Sequence, residues 1–107
     1  MADLFGALAQ SIPAATTLTD GYTVPTARRA TVSVNICNHG SAAVVRLSHA
    51  TGGAVDALGQ YLLRDFALSA NNSVSTVQLA LAAGDVLRVY SDTGNVSFNI
   101  NGIEEDA

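Results

Sequence analysis

Ala30-Thr31-Val32-Ser33-Val34-Asn35-Ile36-Cys37-Asn38 is the stretch whose reading decides the fold. In an extended chain Ala30, Val32, Val34 and Ile36 fall on one face, and Thr31, Ser33, Asn35 and Cys37 fall on the other. Strict alternation of this length, rich in β-branched residues, predicts a strand with one face buried and one wet. The run ends in Asn38-His39-Gly40-Ser41, residues that reach turn conformations at low cost.

Working outward, the period of two recurs. Val45 and Leu47 lie opposite Arg46 and Ser48 in the run Ala43 to His49, which Thr51-Gly52-Gly53 breaks. Tyr61 to Phe66 reads as a strand, and so does Val74 to Leu81 after the loop Ser69 to Ser73. Val86 to Ser91 follows the turn Ala82-Ala83-Gly84-Asp85, and Val96, Phe98 and Ile100 alternate after Asp92-Thr93-Gly94-Asn95. Upstream, Ala15 to Leu18 and Tyr22 to Val24 flank Asp20-Gly21 as a first, less regular pair. Helix is compatible only with Leu4 to Gln10 and, weakly, with Val55 to Gln60. About eight short strands at this spacing, with no connection long enough for a helical crossover, predict an all-β fold. The expected form is an antiparallel two-sheet sandwich, jelly-roll-like.

A length of 107 residues is that of one domain. The expected organisation is a β-sandwich over 14–104, preceded by an apolar segment over 1–13 and followed by an acidic tail over 105–107. Leu4, Phe5, Leu8 and Ile12 make the first segment costly to leave in water. It either folds back over the sandwich or inserts into a neighbour as an arm. The end Glu104-Glu105-Asp106 reads as solvated. Hydrophobic residues make up 49% of the chain and charged ones only 13%, about half the usual charged fraction. That surplus predicts a surface partly covered by partner proteins.

The same composition excludes other roles. The net charge is −4, and the only cations are five scattered arginines, Arg28, Arg29, Arg46, Arg64 and Arg88. Binding nucleic acid needs clustered cations against phosphates, so no nucleic-acid partner is expected. No apolar run approaches ~20 residues, so no membrane span is expected. Asp3 and the absence of a cationic start argue against a cleaved signal peptide. Cys37 is the single cysteine; it forms no internal disulfide and reads as a small apolar residue in or near the core.

Catalytic chemistry finds little to work with. His39 and His49 are the only histidines, one in a turn and one at a strand end, and no Gly-x-Ser-x-Gly elbow occurs. No His or Cys pairing has metal-ligand spacing, and Asp92 with Asn95 reads as turn chemistry rather than a calcium loop. Asp56, Asp65, Asp85 and Asp92 show no paired-carboxylate pattern, and Asp85 is expected to cap backbone N–H groups in its hairpin turn. Gly52-Gly53 precedes no Lys-Ser or Lys-Thr, so no phosphate loop is present. No catalytic residue, metal or cofactor is predicted.

A resemblance extends this reading. Ala14-Ala15-Thr16-Thr17-Leu18-Thr19-Asp20-Gly21-Tyr22-Thr23-Val24-Pro25 leads into the strand ending Ile36-Cys37-Asn38. Later come Leu81 to Tyr90 (LAAGDVLRVY) and Val96 to Glu104 (VSFNINGIE). In order and spacing these segments resemble small virion proteins of tailed bacteriophages, over about Gln10 to Glu104. The resemblance implies a non-enzymatic β-sandwich component of the particle, assembled in the host cytoplasm. Small β-rich capsid decoration (cement) proteins fit that size and charge; a tail, fibre or baseplate module, with host-glycan binding as a role open to it, is the alternative. The implied partners are the major capsid protein or other virion proteins and further copies of the chain, a trimer being favoured. The candidate interface residues are Leu4, Phe5, Leu8 and Ile12, with Arg28 and Arg29. Arginine suits cations buried at a contact better than lysine, which this chain lacks.

Overall fold

The computed structural model describes residues 3–107. The deciding stretch becomes β3 (Arg28–Asn38), and its alternation is realised residue by residue. Arg28, Ala30, Val32, Val34, Ile36 and Asn38 are all buried, while the residues between them are half-buried or exposed. The chain enters through β1 (Leu4–Ser11) and β2 (Thr19–Thr23) and leaves β3 for β4 (Ala43–Ala50) and β5 (Tyr61–Leu68). β6 (Ser73–Ser75), β7 (Leu79–Leu81), β8 (Val86–Ser91) and β9 (Val96–Asp106) complete it. Every pairing is antiparallel.

One sheet runs β1-β9-β3-β6, with β7 beside β6 on the same edge of β3; the other runs β2-β8-β4-β5. The pairs β1 with β9, β2 with β8, β3 with β6 and β7, and β4 with β5 are nested. The chain thus folds into two facing antiparallel sheets, the all-β sandwich expected from the sequence. Between the sheets lie Val32, Val34, Ile36, Val45, Leu47, Leu87, Val89, Phe98 and Ile100, each almost fully buried.

The differences from the sequence reading have local causes. Leu4–Ser11 is not helix but β1, the edge strand beside β9. Its register slips between Ala7 and Ala9, so Leu8 is an extra residue and the period of two is lost from the sequence. Ala15 to Leu18 forms no strand. β2 begins at Thr19 instead and pairs with β8 across a second slip at Gly21. A Cβ at Gly21 would come within 3.0 Å of Val89 and 3.2 Å of the Leu87 carbonyl. The run Val74 to Leu81 splits into β6 and β7. At the split, Thr76 receives the Val34 N–H on its hydroxyl at 3.0 Å and donates its own N–H to the Val34 carbonyl at 2.9 Å. The weak helical signal before Tyr61 is a single 3-10 turn, Leu58–Gln60.

At the other end of the chain, β9 does not stop at Glu104. It pairs with β3 as far as Arg28 opposite Asp106, where the sequence predicts a solvated tail. Gly102 allows the close approach of strands there. Its φ is +156°, and a Cβ would run into the Thr31 carbonyl oxygen and lie 2.8 Å from the Val32 Cα. Both are backbone atoms of the central strand and cannot yield cheaply. Gly102→Ala is therefore expected to destabilise the fold by at least ~1–3 kcal/mol, the usual cost of overpacking. Urea denaturation of the two proteins measures it; an unchanged midpoint would mean that β3 and β9 are not so closely apposed.

Candidate interaction surface

The inward row of β3 is apolar in its middle and polar at both ends, about 33 Å apart at the rise of an extended strand. Asn38 closes one end. Its amide nitrogen donates to the carbonyls of Ser41, Leu68 and Ser69 at 2.8, 3.1 and 3.2 Å, and its oxygen accepts the Gly40 N–H at 3.0 Å. Arg28 closes the other. Its Nε lies 3.2 Å from Glu104 Oε1, its Nη1 2.6 Å from Asp106 Oδ1, and its Nη2 donates to the Glu104 carbonyl at 3.0 Å. The second oxygen of Glu104 accepts the Tyr22 hydroxyl at 2.6 Å. Tyr22 stands on β2, in the facing sheet, so the network ties the two sheets together.

The electrostatics follow from this burial. Removal from water, then the hydrogen bond to Glu104, push the Tyr22 phenol well above its ordinary range. For Arg28 burial acts to lower the pKa, but the bonds to Asp106 and Glu104 outweigh it and the net shift is upward. Arg28 is thus corrected from the expected interface: it is 1% exposed and serves the interior. Arg29, its neighbour, is exposed and pairs with Glu105 at 3.0 Å.

A second buried carboxylate supports the β4–β5 connection. Asp85 accepts the N–H groups of Gly52 at 2.9 Å and Ala82 at 3.0 Å, and its Oδ2 lies 2.7 Å from His49 Nε2. The sequence anticipated the capping role but not His49. Burial alone would raise the Asp85 pKa; the Gly52, His49 and Ala82 contacts outweigh it and hold it below the ordinary value.

The remaining surface divides into three kinds. Apart from the Arg29–Glu105 pair at one end, the outer face of the β1-β9-β3 sheet carries small uncharged side chains, with Ser33 beside Asn101, Asn35 beside Asn99, and Cys37 beside Ser97. Side chains bond to one another across it, Ser75 to Asn35 at 2.5 Å and Ser33 with Asn101 at 3.3 Å. The outside of the β2-β8-β4-β5 sheet carries paired charges: Arg46 with Asp65 at 2.7 Å and Arg88 with Asp20 at 3.2 Å. Arg46 also covers the ring of Tyr90 at 4.5 Å, and Arg64 that of Tyr61 at 5.1 Å.

The third kind is apolar and lies at the edges. Of the expected interface residues, Leu4, Phe5 and Ile12 are exposed, Phe5 to 89%, on or just beyond the edge strand β1. Leu8 is different, since the bulge turns it against the core. A groove of about 510 Å³, lined by Gln10, Ser11, Ile12, Ser97, Phe98 and Asn99, adjoins this edge. The opposite edge was not legible as a surface in the sequence. There Leu62, Leu63, Val74, Val77 and Leu79, from β5 and from the β6–β7 segment, line an apolar groove of about 260 Å³. Val55, Leu58, Leu62, Phe66 and Val77 are exposed. Covering one large apolar side chain contributes roughly 1.5–3 kcal/mol, so each edge offers substantial binding energy.

One contact touches on catalysis. His39 Nε2 and Ser97 Oγ are 2.8 Å apart on the surface, but among the described residues no carboxylate bonds to His39. The described residues also contain no group of three or more His, Cys, Asp or Glu that could hold a metal, and no helix long and apolar enough to cross a membrane.

No protein-family model matches the chain, and no curated protein matches it. Among solved structures it is similar to a pentameric capsid protein isolated from metagenomic phage sequences, at 21% identity and a TM-score of 0.42. The match covers 95% of this chain and 60% of that one, so this chain spans about three-fifths of its length.

Two outcomes are expected from the buried groups. Tyr22→Phe removes the hydroxyl from a buried carboxylate oxygen and should cost about 1–3 kcal/mol in denaturant unfolding, with the fold retained. The Asp85 pKa is lower folded than unfolded, so its contribution to stability is complete above the unfolded value near 3.8 and is lost as pH falls through the folded one. Asp85→Asn should therefore flatten the fall in melting temperature below about pH 4; an unchanged acid slope would contradict the capping geometry.

Proposed function

We propose that this chain is a non-enzymatic structural protein of a tailed-bacteriophage particle, and within it a capsid decoration protein that stabilises the head through subunit contacts. The observation that carries the reading is the apolar edge Leu4, Phe5 and Ile12, exposed on a domain whose two sheet faces are polar or charge-paired. A small protein that stays in solution gains nothing from a phenylalanine exposed to 89%; one that packs into an assembly gains the binding energy of covering it. The segments that resemble tailed-phage virion proteins support the same reading, with the major capsid protein as partner and the virion as location.

A glycan-binding tail module is the weaker reading. Sugar platforms favour free Trp or Tyr faces, and this chain has no Trp. Tyr22 is buried, and Tyr61 and Tyr90 are covered by Arg64 and Arg46. The test is to add purified chain to heads assembled without it and follow co-sedimentation and thermal rupture of the heads. Saturable binding and a higher rupture temperature are expected. Glycan binding without any affinity for heads would overturn the decoration reading in favour of the tail.

A further inference from the structure

The two apolar edges differ in shape and lie on opposite sides of one sheet. β1 carries a protruding ring, Phe5, whereas β6 and β7, at the other edge of the same sheet, join β5 in forming a groove. Charge divides the same way. Among the described residues every arginine except Arg64 has a carboxylate within salt-bridge distance. Arg64 only stacks on Tyr61, and it adjoins Leu62 and Leu63 of the groove. Among the described side-chain carboxylates, Asp3 alone has no hydrogen-bond partner, and it stands two residues before Phe5.

From this we infer that the occupant of the groove is a second copy of the chain: Phe5 of one protomer seats against Leu62, Leu63, Val74, Val77 and Leu79 of the next, and Asp3 meets Arg64. A knob on one edge and a groove on the other make a contact between unlike surfaces, repeated head to tail. Such a contact closes into a ring or extends as an open chain; it does not stop at a symmetric dimer. The outer strands favour side-chain packing over strand addition. β1 is bulged at Leu8, β5 slips register on either side of Leu47's partner, and β6 and β7 are three residues each. The inference deepens the structural role proposed above and rests on it for its biological setting.

Sedimentation velocity on the full chain and on surface variants tests it. The unmodified chain should associate beyond the dimer. Phe5→Glu and Val77→Glu should each be folded, by unchanged thermal unfolding, and each should weaken association about 30-fold, the scale of losing an anchor residue. Mixed together, these two variants should form dimers and nothing larger, because each retains one intact surface. Asp3→Arg should weaken association, and adding Arg64→Asp to it should restore it. A chain that is monomeric at every concentration, a Phe5→Glu variant that assembles normally, or a mixture that stays monomeric would each overturn the inference. A monomer that still binds heads would remove the inference and leave the decoration reading standing. Head-to-tail assembly without head binding would do the reverse.

Discussion

Burying an arginine at the end of an apolar row obliges the rest of the chain to supply its partners. Arg28 continues the inward face of β3, where period-two geometry leaves it no route outward. Its compensation comes from far along the chain, from Glu104 and Asp106 on β9, and Glu104 in turn engages Tyr22 on the facing sheet. A buried ion pair adds little net stability over an apolar filling of the same volume, because desolvation offsets the attraction. Its effect here is on register. Slipping β9 by two residues would keep every side chain on its face yet break the set of contacts that Glu104 and Asp106 make with Arg28 and Tyr22 in this register. Apolar residues alone would tolerate that slip, and the charged pair does not.

The same logic accounts for the long last strand. With Gly102 clearing the approach to Thr31 and Val32, β9 stays against β3 to Asp106. The acidic run that ends the chain is therefore shared between burial and surface: Glu104 faces in, Glu105 pairs with Arg29 outside, and Asp106 reaches back to Arg28. Six of the chain's charged groups thus hold positions set by structure, not by solubility, once Asp85 at the other turn is included. What keeps the outer face of this sheet wet is its row of Asn and Ser.

How much of this was legible beforehand depends on whether the relevant signal is local. The alternation of Ala30 to Cys37 places Ala30, Val32, Val34 and Ile36 inside correctly, because one strand's pleat decides them, but it does not reach the buried Arg28 and Asn38 at the two ends. Val86 to Ser91 is read without error for the same reason. β1 is lost because Leu8 is a bulge residue and Gly6 interrupts the run, leaving a pattern rich in Ala and Leu that favours helix on intrinsic propensity. Tertiary pairing with β9 overrides that propensity. Glu104 is missed for a different reason, since its burial depends on an arginine 76 residues earlier. The apolar first segment drew attention to Leu4, Phe5, Leu8 and Ile12, of which Leu4, Phe5 and Ile12 are exposed and Leu8 packs against the core. Composition could not find the groove, which exists only where β5 of one sheet meets β6 and β7 of the other.

Exposed sheet edges usually invite unwanted pairing, and this fold meets that hazard without closing into a barrel. Bulges in β1, β2 and β5 and the split between β6 and β7 interrupt the regular row of backbone donors and acceptors that another strand would need. Yet the side chains placed at these edges are apolar, among them Phe5, Leu62 and Val77, rather than the lysines and prolines that commonly guard an edge. Blocking the backbone while leaving the side chains sticky separates two kinds of association. Indiscriminate strand addition is suppressed, and contact with a surface of matching shape remains favourable. An edge built that way makes association depend on the shape of the surface it meets and not on the backbone alone.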